Sequence, residues 1–164
     1  MPALYLLLSG AIVVIDQVVK AFVRARILLH TSIPFLPGVM DLTYVRNTGA
    51  AFSIFSQHTW MLTVLSGVVS AALIIAIVKD VLPDGLGRFS LALLLGGAVG
   101  NFIDRLLLGF VTDMFATTFM NFAVFNVADI GVTVGGALLC VWVLRSFFRE
   151  KKAEEDEPGE EDAP

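Results

Sequence analysis

Aspartate is the residue type through which this chain can do chemistry. Asp16 and Lys20 stand four positions apart. Asn101, Asp104 and Arg105 occupy i, i+3 and i+4, so each set shares one face of a helix. Asn126 and Asp129 form a third such set, and Asp113 lies between the second and the third. Two carboxyl groups that face one another can share a single proton, because two adjacent negative charges repel. The ionised partner draws a proton from water, and the protonated one donates to a carbonyl oxygen. Other hydrolytic chemistry lacks its residues. Ser53, Ser56 and Ser66 have no recognisable His–Asp partners, and the two histidines, His30 and His58, have no cysteine beside them. Cys140 is single and sits in an apolar run, so no internal disulfide is possible, and it is expected to be a small packing residue deep in its span. No metal and no cofactor is expected.

The acids are set in a very apolar chain. Of 164 residues, 57% are hydrophobic and 16% charged, against roughly 45–50% and about 25% in soluble domains. The mean hydropathy is +0.83. One soluble core of this size could not hide so much apolar surface. Disorder, collagen and nucleic-acid binding through basic patches are excluded on the same grounds. Four apolar stretches, at about 3–24, 60–78, 89–108 and 125–148, reach the roughly 20 residues that cross a hydrocarbon core of about 30 Å. The first has no Lys or Arg ahead of it and carries Asp16 and Lys20 where a cleavage site would fall, so it is read as a retained helix. The expected fold is an all-α membrane protein, four transmembrane helices with a small extracytoplasmic β-containing segment, in one domain over 1–152.

Basic residues orient it. Lys79, Arg88, Arg145, Arg149, Lys151 and Lys152 lie on one side, against Lys20, Arg24, Arg26, Arg46 and Arg105 on the other. The bias strengthens if Lys20 and Arg105 are paired inside the bundle, which puts both termini in the cytoplasm. Residues 25–59 and 109–124 then face outside. In the first, 40–45 and 51–55 are β-prone and Arg46–Ala50 offers a turn, so a small sheet or hairpin on the membrane surface is expected. The second should pack at the interface or dip into it, and 79–88 is read as a cytoplasmic turn. The small-residue runs at 96–100 and 135–137 suit close helix packing. Seven of the 15 acidic residues lie after Lys152. That tail, 153–164, is expected to be a disordered solvating segment. Without it the chain has eight acids and 11 basic residues.

Ionisable groups in a bilayer cost several kcal/mol each on insertion scales, so they must be paired. In this topology they gather near the outer interface, where water reaches them without a channel. Asp16 has Lys20, and Asp104 has Arg105 or Asn101 to neutralise it. Asp113 and Asp129 have no evident cation and form the better dyad by elimination. Taken singly, Asp113 could be a solvated loop residue and Asp129 a helix N-terminal acid favoured by the dipole. Two other classes compete: a proton- or ion-coupled transporter using the acids as a relay, and a non-catalytic assembly factor.

Five segments, in order, resemble bacterial lipoprotein signal peptidases. They are Asp16-Gln17-Val18-Val19-Lys20, Asn47 to Ser53, Gly96 to Arg105, Val111-Thr112-Asp113-Met114-Phe115, and Phe125-Asn126-Val127-Ala128-Asp129. The resemblance runs to about residue 148. It implies an intramembrane aspartyl protease of the bacterial inner membrane. Its substrates would be prolipoproteins whose cysteine already carries diacylglycerol, cut just before that cysteine. By motif, Asp113 and Asp129 would be catalytic. Asn47, Gly49, Asn101, Arg105 and Asn126 would bind substrate or support the pair, and Asp16, Lys20 and Asp104 would be structural. Membrane lipid and globomycin-type cyclic peptide inhibitors are the other implied partners, with no nucleic acid. Met114 stands where the family usually has Phe.

Overall fold

A computed structural model describes residues 2–49 and 59–156. It has four helices long and apolar enough to cross a membrane: α1 (Pro2–Arg26), α2 (Thr59–Val78), α3 (Gly85–Leu108) and α4 (Val127–Asp156). Three strands, β1 (Ser32–Leu36), β2 (Met40–Asn47) and β3 (Val111–Thr117), form one antiparallel sheet in that order.

The central element is α3, which packs against each of the other helices. Its glycines make that possible. A Cβ on Gly96 would strike Ile12 of α1, one on Gly97 would strike the Ala128 carbonyl and Val132 of α4, and one on Gly100 would meet the Asp16 carboxylate at 2.7 Å. Gly135 does the same for α4 against Leu94. The small-residue runs therefore set helix separations. The outside of the bundle is apolar: Leu7, Val14, Val18, Trp60, Val68, Leu107 and Leu144 all face outward, as a lipid-facing surface requires. Cys140 faces outward too, so it is not the packing residue expected.

Several boundaries differ from the sequence reading. Asp84 caps α3 by accepting the Gly87 N–H at 2.7 Å, so α3 starts at Gly85, inside the expected loop. It ends at Gly109, whose φ of 75° and N–H to the Arg105 carbonyl close the last turn. The fourth helix runs on through Asp156, so residues 153–156 continue it rather than opening a coil.

The sheet differs more. The expected strand at 51–55 lies outside the described residues. Strand β2 pairs with β1 on one side and β3 on the other. Arg46 and Asn47, expected in a turn, close β2 opposite Thr112 and Val111. Segment 109–124 thus supplies a strand. Local β propensity marks strands, but pairing between 40–47 and 111–117 depends on helices that bring distant segments together.

Candidate active site

Asp113 is placed by an irregularity in the sheet. Leu42 pairs with Phe115 and Val45 with Asp113, so Thr43 and Tyr44 together oppose Met114. Such a bulge turns side chains out of simple alternation. Met114 goes into an apolar cluster with Val23, Ile27 and Tyr44. Asp113, 2% exposed, lies against the ends of α3 and α4. Its Oδ2 accepts from Asn47 Nδ2 at 2.9 Å, and its Oδ1 from Asn126 Nδ2 at 2.7 Å.

Asp129 is placed by the start of α4. Asn126 precedes the helix, and its Oδ1 accepts the Asp129 N–H at 2.9 Å, while Asp129 Oδ2 accepts the Asn126 N–H at 3.1 Å. This reciprocal pair is a capping box. The other oxygen, Oδ1, accepts from Asn101 Nδ2 at 2.8 Å. Asp129 is therefore both the helix-terminal acid that its position suggests and a member of the polar cluster.

Asp113 and Asp129 line one cavity of about 490 Å³ together with Asn47, Asn101 and Arg105. The remaining wall is mostly apolar, from Val111, Phe122, Ala123, Val124, Phe125, Ile130, Val132 and Val134. Arg105 reaches the Gly49 carbonyl at 3.4 Å, and its buried Nε has no partner among the described residues. A cleft with one polar end and one apolar wall suits a peptide bond within or beside an apolar segment.

A second cluster stands behind the cavity. Lys20 Nζ lies 2.8 Å from Asp16 and 3.6 Å from Asp104, and all three side chains are buried. Arg24 adds a contact to Asp104 at 3.6 Å and donates to Thr112 Oγ1 at 3.0 Å. Asp104 also accepts the Thr112 N–H at 2.8 Å, which ties α3 to β3 one residue before Asp113. Asp16 accepts the Ala128 N–H at 2.9 Å, which ties α1 to the first turn of α4 one residue before Asp129. Gln17 donates to Asp16, to Asp104 and to the Gly100 carbonyl.

The expected residues thus separate into two groups with different partners. The expected neutralisation of Asp104 by Arg105 or Asn101 does not occur: adjacent residues on a helix point apart, which separates Arg105, and the Asn101 amide is taken by Lys20 and Asp129. Asp104 turns to the α1 cations and Arg105 to the cavity. Gln17 and Arg24 were missed as site-supporting residues. Arg24 had a signal, since 16, 20 and 24 form one stripe on α1.

Electrostatics follow from these partners. Burial raises the Asp113 carboxyl from its ordinary value to about 6, and the Asp129 charge adds to that rise. Donation from Asn47 and Asn126 and the more distant Lys20 charge act the other way. A carboxyl held near neutrality can donate a proton to a developing oxyanion while its neighbour activates water.

A family model described as signal peptidase II matches residues 8–145. A lipoprotein signal peptidase of Enterococcus faecalis is 38% identical over 94% of this chain and 94% of its own length. That of Lactiplantibacillus plantarum is 38% identical over 90% of this chain and 99% of its own. Among solved structures, one bacterial membrane enzyme matches with a TM-score of 0.82 at 27% identity, over 99% of this chain and 95% of that one. Another matches with a TM-score of 0.78 at 30% identity, over 87% and 93%. On sequence over nearly its whole length, on its four apolar helices and on its fold, this chain belongs to the signal peptidase II family of membrane peptidases.

Proposed function

We propose that the protein is an aspartic endopeptidase that removes signal peptides from prolipoproteins, with Asp113 and Asp129 as its catalytic pair. One observation carries this reading. The two carboxyl groups share a cavity, and among the described residues every hydrogen bond they accept comes from an amide and no salt bridge reaches them, although the Arg105 guanidinium lines the same cavity. Amides stabilise negative charge without fixing it, so one proton can stay with the pair.

In this reading the ionised aspartate takes a proton from water as its oxygen bonds to the scissile carbonyl carbon. The protonated aspartate gives its proton to the carbonyl oxygen, forming a gem-diol. That diol then returns a proton to the second aspartate, the leaving nitrogen receives one from the first, and the C–N bond breaks. Water is consumed, and the pair ends with the single proton it began with. Arg105, Asn47 and Gly49 hold the substrate backbone. The apolar wall of the cavity accepts the signal peptide, and a diacylglyceryl cysteine follows the cut.

Both termini face the cytoplasm, and the site lies at the outer face of the bacterial inner membrane. All the polar side chains of the site and the sheet occupy one end of the bundle, at the C-terminal ends of α1 and α3 and the N-terminal end of α4. Globomycin-type peptides would compete for the same cavity. The ion-relay alternative has no observation in its favour, since Asp16, Lys20 and Asp104 are closed upon one another. The test is to incubate the purified protein with a lipidated precursor and with its unlipidated form, with and without globomycin. Release of the signal peptide from the lipidated form alone, blocked by globomycin, is expected. No cleavage of either by folded protein would overturn the reading.

A further inference from the structure

Lys20 lies outside the cavity, 0% exposed, yet it is two hydrogen bonds from Asp129. Its ammonium donates to Asn101 Oδ1 at 2.9 Å, and Asn101 Nδ2 donates to Asp129 Oδ1 at 2.8 Å. An ammonium has donors only, so it must meet the oxygen of the Asn101 amide. That leaves the amide nitrogen, and only the nitrogen, for Asp129. Asn126 is ordered in the same way. Its oxygen takes the Asp129 N–H, so its nitrogen serves Asp113 Oδ1, with Asn101 Oδ1 at 3.2 Å. Each amide nitrogen therefore ends on a carboxylate, Asn101 on Asp129 and Asn126 on Asp113, while the Asn101 oxygen takes the Lys20 ammonium and a longer bond from Asn126.

Building on the catalytic pair proposed above, we propose that Lys20 is a positioning residue of the hydrolytic site. Through the Asn101 amide it holds Asp129 as the ionised partner and leaves the shared proton on Asp113. Three features support this division. Asp129 receives the amide that the cation polarises. It also sits in the first turn of α4, where the helix dipole favours negative charge. Asp113 is 2% exposed on a strand with no such dipole, and burial holds its carboxyl toward the protonated form. The other charges around the pair do not undo this. From α1 come Asp16 and Arg24, and from α3 Asp104 and Arg105. The nearest charge on β2, Arg46, is turned over the rings of Tyr44 and Phe110, and α2 has none.

The experiment removes the cation without leaving a bare buried acid. Asp16→Asn combined with Lys20→Met keeps the cluster neutral, with Asp104 still facing Arg24. Compared with Asp16→Asn alone, kcat on a lipidated precursor should fall at least about tenfold, with KM changed less than twofold. Without the cation the pair binds its protons more tightly, so both limbs of the pH profile should move to higher pH. A purely structural lysine would change melting temperature and leave the profile in place. Asn101→Asp gives the independent arm. It keeps the shape and offers Lys20 a carboxylate, yet turns an acceptor toward Asp129, so kcat should fall by at least as much in a folded protein. The proton itself is read by infrared spectroscopy at about pH 5, below the Asp113 value of about 6. A carboxylic acid C=O band should be lost in Asp113→Asn and kept in Asp129→Asn. An unchanged kcat and pH profile in the double variant or in Asn101→Asp, or the reverse infrared assignment, would overturn the proposal. Active Asp113→Asn and Asp129→Asn enzymes would instead overturn the catalytic pair itself.

Discussion

The molecule holds two pairs of buried or half-buried aspartates within a few side chains of each other, and their partners are opposite in kind. Asp16 and Asp104 face Lys20 and Arg24. Asp113 and Asp129 face the amides of Asn47, Asn101 and Asn126. A cation fixes a carboxylate as an anion and ties together the elements that carry it. An amide satisfies the same oxygens but leaves the proton free to move. The first pair therefore suits a structural joint between α1, α3, β3 and the start of α4, and the second suits acid–base work. Aspartate alone distinguishes nothing here; the donor opposite it does.

The largest effect should come from exchanging a carboxyl of the second pair for an amide. Asp113→Asn and Asp129→Asn should each lower turnover of a lipidated precursor by about a thousandfold or more while the protein still folds. Because residues that act as a unit are non-additive, the double variant should be little worse than either single one. In the wild type, kcat/KM should fall as pH rises through about 6, where Asp113 gives up the shared proton. The sign for stability agrees. Asp113 binds its proton more tightly in the folded state, so its favourable contribution is complete below the ordinary value of 3.8 and is lost by about pH 6. Relative to Asp113→Asn, the wild type should lose stability across that window and not outside it.

The structural pair is tested by removing its cation alone. Among the described residues, Lys20→Met leaves Asp104 with Arg24 alone and Asp16 with no cation. Breaking a buried pair by taking away one partner costs about 3–5 kcal/mol, which denaturation in detergent would measure. Arg105→Lys asks where the boundary between the two clusters runs. Lysine keeps the charge and loses the planar fork. If Arg105 serves the cavity, KM should rise several-fold with little loss of stability. If it belonged to the structural joint, the loss would show in melting instead. The smallest effect is expected at the far end of α4. Truncation after Lys152 removes the last turn of α4 and the acidic residues beyond it, and cleavage should stay within about twofold of the full chain.

The four helices were legible because each is an apolar run of bilayer length, and such runs have few alternatives. The Asp16–Lys20 pair was legible for an equally local reason, since i,i+4 on a helix is a contact. The capping box at Asn126 and Asp129 was half visible, as two polar residues on one face at the head of an apolar stretch. The partner of Asp104 was not. Adjacency in sequence suggested Arg105, but neighbours on a helix diverge by about 100°, and the cations that meet Asp104 arrive from α1.

Residue order alone supplies the material: four spans, a surplus of aspartates and asparagines at one end of them, and glycines where helices must approach. Tertiary structure decided which aspartate meets which donor. Asp113 and Asp129 come from different elements, and their shared cavity requires three long-range events. The bulge opposite Met114 aims Asp113 away from the apolar cluster. The Asp104 bond to Thr112 anchors the strand that carries it. The Asp16 bond to Ala128 anchors the helix that carries Asp129. Periodicity records which face a residue takes on its own element. It holds no information about which other element will cover that face, and the state of a proton depends on the second of these.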